Sequence, residues 1–429
     1  MSTNNPTYQI QHDMQNMIIK HATVVTPKGN KALRGKEMGN VTVIEDGCVV
    51  ATDGKIAYVG TTASCPVADT ACYNVIDAGG KVLLPGFVDS HTHLVFGGFR
   101  PDEFEWRMNG ESYMSIMQRG GGIQSTVNAT RDTDAATLEE NAQWFINRMS
   151  RMGVTTVEAK SGYGLNVETE EKQLDVINRL AGKPGQCLNV VPTFLGAHAV
   201  PKEYKGRTAE YVDLIIREML PRFKDKARNC DIFCEKNVFE IEDSHRLLLA
   251  AREMGYDIKL HADEIVTLGG AELSAELGAL SADHLLHVSD QGVADMARAG
   301  VVATLLPLTA FTLREPYAPA RKFIDADGAV TLATDLNPGS CLSGSIPLTI
   351  ALARIYMNMS IEEIITALTL NGAAAVGMAD AIGSIEEGKA ADMVMLHFDN
   401  YRMLPYYVGM NCVAATIHNG RVVAENDKQ

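Results

Sequence analysis

The residues best suited to bind a metal ion are two histidines, His91 and His93, which follow a short apolar run. Because they are two residues apart, an extended strand places both imidazoles on the same side. Further candidate ligands follow later in the chain, at His261 and Asp335. Three imidazoles and one carboxylate fill most of a metal shell, leave room for a water molecule, and suit zinc and iron equally well. We therefore predict one zinc or iron ion per subunit, held by these four residues.

Such a metal ion lowers the pKa of a bound water to about 7 and so supplies hydroxide at neutral pH. Asp335 would touch both metal and water, so it is placed to accept the proton. Glu264 lies three residues after His261 and can carry a proton to a leaving nitrogen, whereas Asp263 would point away. His284 can hydrogen-bond the developing oxyanion or the attacking water. The predicted catalytic residues are therefore Glu264, His284 and Asp335.

The elements that must position these residues alternate between strand-like and helix-like segments. The strand-like segments are nearly continuous apolar runs, as expected for parallel strands covered on both faces. Eight of them can be counted, at residues 82–93, 154–164, 188–200, 231–239, 256–264, 279–287, 301–307 and 329–339. Eight such units close a (β/α)8 TIM barrel. An open doubly wound sheet is the alternative, but the glycine-rich phosphate turn expected after its first strand is absent.

Polar residues fall at the C-terminal end of one predicted strand after another, which is where barrels of this type place their chemistry. Such residues occur on six of the eight candidate strands, at His91 and His93, Tyr163, His198, His261 and Glu264, His284, and Asp335. Residues so far apart in the sequence converge only if the barrel closes. The pattern therefore supports both the barrel and the metal site.

The two ends of the chain have a different sequence pattern. Between residues 17 and 83, and again between residues 389 and 429, short alternating strands are broken by Gly and Asp turns. We predict that these two segments form one composite β-sandwich domain and that residues 84–388 form the barrel. Residues 1–16 are predicted to be a polar tail, because they have neither the basic nor the apolar region of a secretory signal.

The composition is that of a globular protein, since 46% of the 429 residues are hydrophobic and 21% are charged. No apolar run is long enough to span a membrane. The net charge of −15 repels phosphate, which argues against nucleic-acid and anionic-membrane partners. The eight cysteines are scattered without a CxxC pair, so we expect reduced thiols and a cytoplasmic location. Cys230 and Cys234 are better interpreted as buried thiols than as metal ligands.

An anionic substrate would need a local cation in so acidic a chain. Arg100 follows the first candidate strand and could hold a carboxylate through two hydrogen bonds. On spacing alone, however, an ion pair between Arg100 and either Asp102 or Glu103 is the favoured interpretation.

Two further features are less specific. A second metal would need a carboxylated lysine, and Lys160 and Lys236 lie near strand ends, but no second set of ligands accompanies them. One metal is therefore the better interpretation. The glycine-rich stretch Gly120–Gly122 is either a flexible active-site loop or an ordinary turn.

Several motifs together resemble the single-metal branch of the amidohydrolase superfamily. They are PGFVDSHTH, HADE, the histidine of the sixth strand, the aspartate of the eighth strand, and the C-terminal run GSIEEGKAADMVML. The resemblance covers nearly the whole chain from Met17 onward. Within that superfamily the chain is similar to the imidazolonepropionase family rather than to its deaminase relatives, through the fragments HTHLVFGGFR, KSGYGL, FLGAHAVP, KLHADE and ATDLNPGS.

The resemblance implies a metal-dependent hydrolase that opens the ring of 4-imidazolone-5-propanoate and forms N-formimidoyl-L-glutamate in histidine degradation. It implies that zinc or iron is held by His91, His93, His261 and Asp335. It implies that the small anionic substrate is bound by Arg100, Tyr163, His198 and Glu264, and that the product is contacted by Asn337, Gly339 and Ser340. Arg100 thereby becomes the expected anchor of the propionate. A homodimer is implied by the resemblance alone.

Two other functions stay open at this point. The same metal-activated water could deaminate a nucleobase or a related heterocycle, although a neutral base needs no carboxylate anchor such as Arg100. A non-catalytic assembly protein on the same barrel is the second alternative. Such proteins typically lack part of the metal shell, whereas here every ligand is present.

Overall fold

The computed structural model describes residues 16–111, 119 and 121–427. Gly120 and nearly all of the predicted tail therefore lie outside the described residues. The N-terminal part contains strands β1 (Met17–Thr26), β2 (Thr42–Thr52), β3 (Lys55–Thr61), β4 (Asn74–Asp77) and β5 (Val82–Pro85). Strand β1 pairs antiparallel with β2 and parallel with both β4 and β5. These strands begin a mixed sheet, as the alternating pattern predicts.

The chain passes from this sheet into the barrel at Gly86. Strand β5 pairs within the terminal sheet, and the strand that follows at once, β6 (Phe87–Asp89), pairs within the barrel. A Cβ atom at residue 86 would lie 2.1 Å from Oγ1 of Thr155, so only glycine fits here. The continuous strand predicted over residues 82–93 is therefore wrong, because this segment contains two strands in different sheets.

Eight parallel strands form the barrel: β6, β7 (Val154–Lys160), β8 (Asn189–Ala197), β9 (Asn229–Cys234), β10 (Asp257–Ala262), β11 (Ser281–His284), β12 (Val302–Leu305) and β13 (Ala329–Leu332). Each strand pairs with the next one in chain order. The circle closes just beyond β6 and β13, where Thr92 and Leu336 form a parallel bridge. There the Asp335 amide also donates to the His91 carbonyl at 3.0 Å. The predicted (β/α)8 barrel is confirmed.

Helices connect the barrel strands and cover their outer side. The α-helices are Pro101–Met108, Ile123–Asp132, Ala135–Arg151, Val167–Ala181, Thr208–Leu214, Leu220–Phe223, Ile241–Glu253, Gly270–Leu277, Asp290–Ala299, Pro307–Leu313, Ala320–Asp325, Ile346–Tyr356, Ile361–Leu368, Leu370–Ala375 and Met403–Tyr406. A π-helical turn spans Ile215–Met219, and 3-10 turns span Gly35–Gly39, Thr62–Ser64 and Lys202–Tyr204. No helix in the described part of the chain combines the length and the apolar character needed to cross a membrane.

The boundaries of these helices follow local sequence signals. Asp134 begins the helix Ala135–Arg151 because its carboxylate accepts the Thr137 amide proton at 2.9 Å. Asn166 caps the helix Val167–Ala181 in the same way. Each of these helices buries one apolar face against the barrel, at the three- and four-residue spacing that the sequence shows.

The C-terminal strands return to the first sheet. They are β14 (Met393–Leu396), β15 (Val413–His418) and β16 (Arg421–Glu425), and β14 pairs antiparallel with β5. The resulting order is β16-β15-β14-β5-β1-β2-β3, with β4 also paired to β1. Both ends of the chain thus build one sheet, which confirms the composite β architecture. The exact domain limits predicted at residues 83/84 and 388/389 stay a prediction, since β5 continues past residue 83.

Candidate metal centre and substrate cavity

The four residues predicted to bind a metal lie together at the carboxyl ends of the barrel strands. Nε2 of His93 lies 3.3 Å from Nε2 of His91 and 3.3 Å from Nε2 of His261. Oδ1 of Asp335 lies 3.5 Å from Nε2 of His91 and 3.6 Å from Nε2 of His93. Four potential donor atoms from three places in the sequence therefore face one small volume.

The electrostatics of this cluster suit a bound cation. Burial, together with the neighbouring imidazoles and Lys160, holds the pKa values of His91, His93 and His261 well below the ordinary value. These imidazoles are therefore neutral, which is the form that binds metals. Burial also raises the pKa of Asp335 to about 7. A cation at this place would favour the ionised carboxylate.

Carboxylates lie behind two of the imidazoles, and the hydrogen bond at Nδ1 of His91 fixes how that ring is turned. Oδ2 of Asp283 lies 2.6 Å from Nδ1 of His91, and Oδ2 of Asp231 lies 3.1 Å from Nδ1 of His261. A carboxylate on Nδ1 leaves Nε2 as the free donor and makes it a stronger ligand. Because the Nε2 atoms converge on Asp335, the chemistry and placement of the donors fit one zinc or iron ion.

Asp231 and Asp283 belong to a larger set of charged side chains, which we call the floor network: Glu158, Lys160, Asp231, Lys259 and Asp283. Nζ of Lys160 lies 2.7 Å from Asp231 and 2.8 Å from Glu158, and Nζ of Lys259 lies 3.2 Å from Glu158. All five side chains are fully buried. Burial opposes the charge on Lys160, but the three carboxylates outweigh it and raise its pKa. The network thus compensates most of its charge internally.

Of the floor network, the sequence singles out only Lys160, as a possible bridge to a second metal. Its ammonium group is instead paired with carboxylates, and Lys236, the other candidate, is exposed. A usable signal was present in the sequence. Glu158 and Lys160 are charged residues two apart in an otherwise uncharged strand, and residues two apart point to the same face of a strand.

The metal cluster opens into a cavity of about 480 Å³. Its lining includes every residue predicted to bind the substrate or product: Arg100, Tyr163, His198, Glu264, Asn337, Gly339 and Ser340. It also includes residues that sequence analysis missed: Glu103, Arg107, Glu111, Ile123, Phe233, Ile265, Leu313 and Glu315. A cavity of this size accommodates a small molecule.

The two predicted proton-transfer residues beside the metal cluster are near each other. Nε2 of His284 lies 3.5 Å from Oε2 of Glu264. Burial raises the pKa of Glu264 to about 8 and lowers the pKa of His284 to about 4, so both are neutral at pH 7. Asp263 points away, as expected, because its carboxylate accepts the amide protons of Leu268, at 2.8 Å, and Ala271, at 3.0 Å.

The backbone is strained at the residues that form this end of the barrel. His284 has φ 75° and Asp335 has φ 52°, which lie in the left-handed region that side chains rarely adopt. A hydroxyl hydrogen bond from Thr309, at 2.6 Å, helps to hold the Asp335 carboxylate. Strain of this kind is typical of functional sites, where the surrounding structure fixes the conformation.

Two aromatic groups stand beside the predicted ligands. His198 stacks on His93 with ring centroids 4.9 Å apart, and Nδ1 of His198 lies 3.1 Å from the Gly162 carbonyl. Because a carbonyl can only accept, Nδ1 carries the proton and Nε2 is the acceptor. Tyr163 is buried at 3% exposure, and burial raises its pKa, so its hydroxyl keeps its proton.

Arg100 has the ion pair that spacing alone favours, because its Nη2 lies 2.5 Å from Oε2 of Glu103. The same carboxylate accepts the Gly122 amide proton at 3.1 Å. Arg100 nevertheless lines the cavity. The stretch Gly120–Gly122 is described only at Gly121 and Gly122, so the choice between an active-site loop and a turn stays open.

The loop after β13 is folded around its own asparagine. Oδ1 of Asn337 accepts the amide protons of Gly339 and Ser340, both at 2.8 Å. A Cβ atom at residue 339 would lie 2.6 Å from Nη1 of Arg100, so glycine lets the guanidinium approach the loop. The loop therefore presents its backbone to the cavity directly beside the predicted carboxylate anchor.

The cysteines take no part in the site. Cys230 and Cys234 are buried and unpaired, as predicted, and burial raises the pKa of both thiols. None of the His, Cys, Asp and Glu groups that could hold a metal in the described residues includes a cysteine.

Comparison with known proteins places this site in context. Residues 82–423 match the amidohydrolase family. The chain is 60% identical to the imidazolonepropionase of Phocaeicola vulgatus over 413 residues, which cover 96% of this chain and 99% of that relative. It is also 60% identical to the imidazolonepropionase of Bacteroides thetaiotaomicron over 418 residues, which cover 96% and 100% of the two chains. The solved 5-methylcytosine deaminase from Klebsiella pneumoniae superposes with a TM-score of 0.73 at 16% identity, over 96% of this chain and 98% of that one, and this likeness concerns the fold alone.

Proposed function

Since the chain belongs to the amidohydrolase family and, within it, to the imidazolonepropionases, we propose that it opens the ring of 4-imidazolone-5-propanoate in histidine degradation. It is a hydrolase that acts on the C–N bond of a cyclic amide. The observation that carries the proposal is the content of a single cavity, which joins a set of metal donors to a guanidinium beside an open backbone loop. The substrate has a ring carbonyl, which would react at the metal donors, and a carboxylate, which the guanidinium would bind. It therefore needs both parts of the cavity.

The metal would be held by His91, His93, His261 and Asp335 as one zinc or iron ion per subunit. When bound, such an ion lowers the pKa of a coordinated water and polarises the carbonyl oxygen. The short distances between the three Nε2 atoms and the Asp335 carboxylate support this assignment. In the proposed mechanism the chain's own residues orient the substrate and move the protons.

Hydrolysis adds water to the ring carbonyl carbon and breaks the bond from that carbon to the ring nitrogen. Asp335 accepts a proton from the attacking water, because its carboxylate faces the donor cluster. Glu264 donates a proton to the departing nitrogen, since its raised pKa of about 8 keeps it protonated at neutral pH. The carbon becomes a carboxylate and the product is N-formimidoyl-L-glutamate.

His284 would donate a hydrogen bond to the oxygen that gains charge in the transition state. Burial lowers its pKa to about 4, so it is a neutral imidazole that still has one N–H group to donate. His198 would accept a hydrogen bond from a ring N–H through Nε2, because its Nδ1 proton is directed to Gly162. These contacts would orient the ring beside the metal donors.

The remaining contacts would bind the acidic side chain of the substrate. Arg100 would bind the propionate carboxylate and Tyr163 would donate a hydroxyl hydrogen bond. Asn337, Gly339 and Ser340 would contact the glutamate-like part of the product through the loop that closes on Arg100. All five residues line the same cavity.

Of the alternatives, deamination of a neutral base gives no reason for a guanidinium in the cavity, and the solved deaminase is similar in fold alone. A non-catalytic assembly protein gives no reason for a complete donor set. We further propose a homodimer located in the cytoplasm, without nucleic-acid or membrane partners. The net charge of −15 supports the exclusion of phosphate-rich partners.

The test is a spectrophotometric assay of imidazolonepropionate loss by the purified chain, with and without a chelator. We expect turnover that the chelator abolishes and that added zinc or iron restores. Release of ammonia from cytosine or guanine, without imidazolonepropionate turnover, would contradict the proposal in favour of a deaminase.

The role of Glu264 has its own test in the variant Glu264→Gln. Loss of the proton donor should lower kcat by about 10² to 10⁴ while metal content stays unchanged. The exposed Glu253→Gln serves as the matched control and should keep wild-type kcat. Full kcat in Glu264→Gln would remove this residue from the chemistry.

A further inference from the structure

The cavity contains a second guanidinium, which no motif in the sequence singles out. Arg107 lies near the end of the helix Pro101–Met108, and Arg100 immediately precedes that helix. Seven residues correspond to two helical turns, so the two side chains lie on the same side. Both line the cavity that the metal donors share.

The two arginines differ in how their charge is compensated. Arg100 is paired with Glu103 at 2.5 Å, and the two side chains are only 13% and 9% exposed. This built-in pair has no net charge. Arg100 alone would therefore give little net attraction for an anion in a cavity that Glu111, Glu315 and Asp335 also line.

Arg107 has no such counterion. Its Nη2 donates to the Gly339 carbonyl at 3.0 Å, and its Nε is buried without a hydrogen-bond partner in the part of the chain that the structure describes. Among the described residues, the carboxylate whose charge acts on Arg107 is Glu103, which is already paired with Arg100. The remaining stretch next to it, residues 112–118 and 120, contains no Asp or Glu. A carbonyl satisfies one N–H group and leaves the positive charge uncompensated.

The proximity of the two guanidinium groups adds to this imbalance. Burial, and after it the charge of Arg100, lowers the pKa of Arg107, whereas Glu103 opposes the shift only in part. Both Nε atoms, of Arg100 and of Arg107, are buried without a partner in the described residues. A pair of cations with unused donors is the arrangement that a planar carboxylate satisfies, because it accepts from two guanidinium groups at once.

We propose that Arg107 binds the substrate carboxylate together with Arg100 and makes the site specific for acids over their neutral analogues. This inference rests on the proposed function, since it assigns the propionate a second anchor. We call Arg100, Glu103 and Arg107 the arginine wall. Within it, Glu103 holds Arg100 in place and Arg107 supplies the net positive charge. The bond from Arg107 to Gly339 also keeps the loop after β13 against the wall.

The test compares two ligands that differ only in charge, 3-(imidazol-4-yl)propanoate and its amide, by calorimetry with the metal-loaded enzyme. We expect the wild-type chain to bind the acid about tenfold to a hundredfold more tightly than the amide, the range of one charge-assisted contact. Arg107→Met should lose most of this preference and leave amide affinity unchanged. Arg107→Lys should keep part of it. Arg217→Met, at a side chain that is 78% exposed, removes the same charge elsewhere and should change nothing.

Kinetics provide a second readout. Arg107→Met should raise KM for imidazolonepropionate about tenfold or more and leave kcat within about threefold, because the contact is the same in substrate and transition state. Equal loss of affinity for the acid and the amide would show that Arg107 only anchors the loop, and would overturn the inference. So would an unchanged preference for the acid in Arg107→Met. Absence of wild-type turnover would contradict the proposed function alone, because the two affinities still decide the role of Arg107.

Discussion

The floor network and the arginine wall are two charged regions of one site, and they are unbalanced in opposite directions. In the floor network, three carboxylates face two ammonium groups on barrel strands, so an excess negative charge lies behind the imidazoles. In the arginine wall, two guanidinium groups face one carboxylate on a loop and a short helix. A metal cation on the imidazoles would balance the first region, and a substrate carboxylate would balance the second.

The two regions also differ in the role expected of them: the floor network stabilises the site, and the arginine wall binds the substrate. The floor side chains are fully buried and paired among themselves, so removing one of them leaves its charged partners buried without an ion pair. The arginine wall is partly open to the cavity, and removing Arg107 leaves only the Gly339 carbonyl without its hydrogen bond. Substitutions in the floor should therefore change stability and metal binding, whereas substitutions in the wall should change substrate binding.

The largest effect is expected for Lys160→Met. This change leaves the carboxylates of Glu158, Asp231 and Asp283 with Lys259 as their remaining cation, and breaking a buried ion pair costs about 3–5 kcal/mol. Urea unfolding of metal-free protein measures the loss without interference from the ion. The exposed Lys236→Met is the control, with an expected change below about 0.5 kcal/mol. Equal stability of the two variants would contradict the structural role of the floor.

A smaller effect is expected for Asp283→Asn, which alters the link between floor and metal. The amide can still accept from Nδ1 of His91, but it no longer strengthens Nε2 as a ligand, so metal affinity should fall about tenfold to a hundredfold. Competition with a chelator of known affinity measures this change. Asp257→Asn, at a side chain that is 43% exposed, is the control. Zinc affinity within twofold of wild type in Asp283→Asn would show that the Asp283 carboxylate does not strengthen His91 as a ligand.

The smallest effect is expected at the wall, for Gly339→Ala. The added methyl group would lie 2.6 Å from Nη1 of Arg100 and must displace that flexible side chain. We expect KM to rise about tenfold, equivalent to about 1.4 kcal/mol, with metal affinity unchanged. Gly39→Ala, where no atom lies within 4 Å of the added carbon, is the matched control. If Gly339→Ala lowered metal affinity and left KM unchanged, the separate roles of the floor network and the arginine wall would be contradicted.

The sequence predicts those features that repeat or that stand at recognisable places. Eight alternations of strand and helix define the barrel, and polar residues at strand ends, such as His261 and Asp335, mark the metal cluster. The break at Gly86 has a local signal, because a Pro-Gly pair such as Pro85-Gly86 marks turns. That signal does not show that the strands on its two sides join different sheets, and the close approach of Thr155 to Gly86 exists only in the folded chain.

The charge imbalance was missed for a related reason. Whether an arginine is compensated depends on its neighbours in space. Spacing alone predicts that Arg100 pairs with Asp102 or Glu103, of which the structure has Glu103, and it is silent on Arg107. The floor network joins residues from four strands, and only barrel closure brings Lys160 to Asp231 and Lys259 to Glu158. Pairings of this kind become visible once the strands have been placed in order.

We propose that one cation sits among His91, His93, His261 and Asp335, and anomalous diffraction from crystals of the purified protein tests this proposal most directly. Data collected on both sides of the zinc and iron absorption edges should give one strong peak per chain, within bonding distance of these four side chains. Two peaks per chain, or one peak that these residues do not surround, would contradict it.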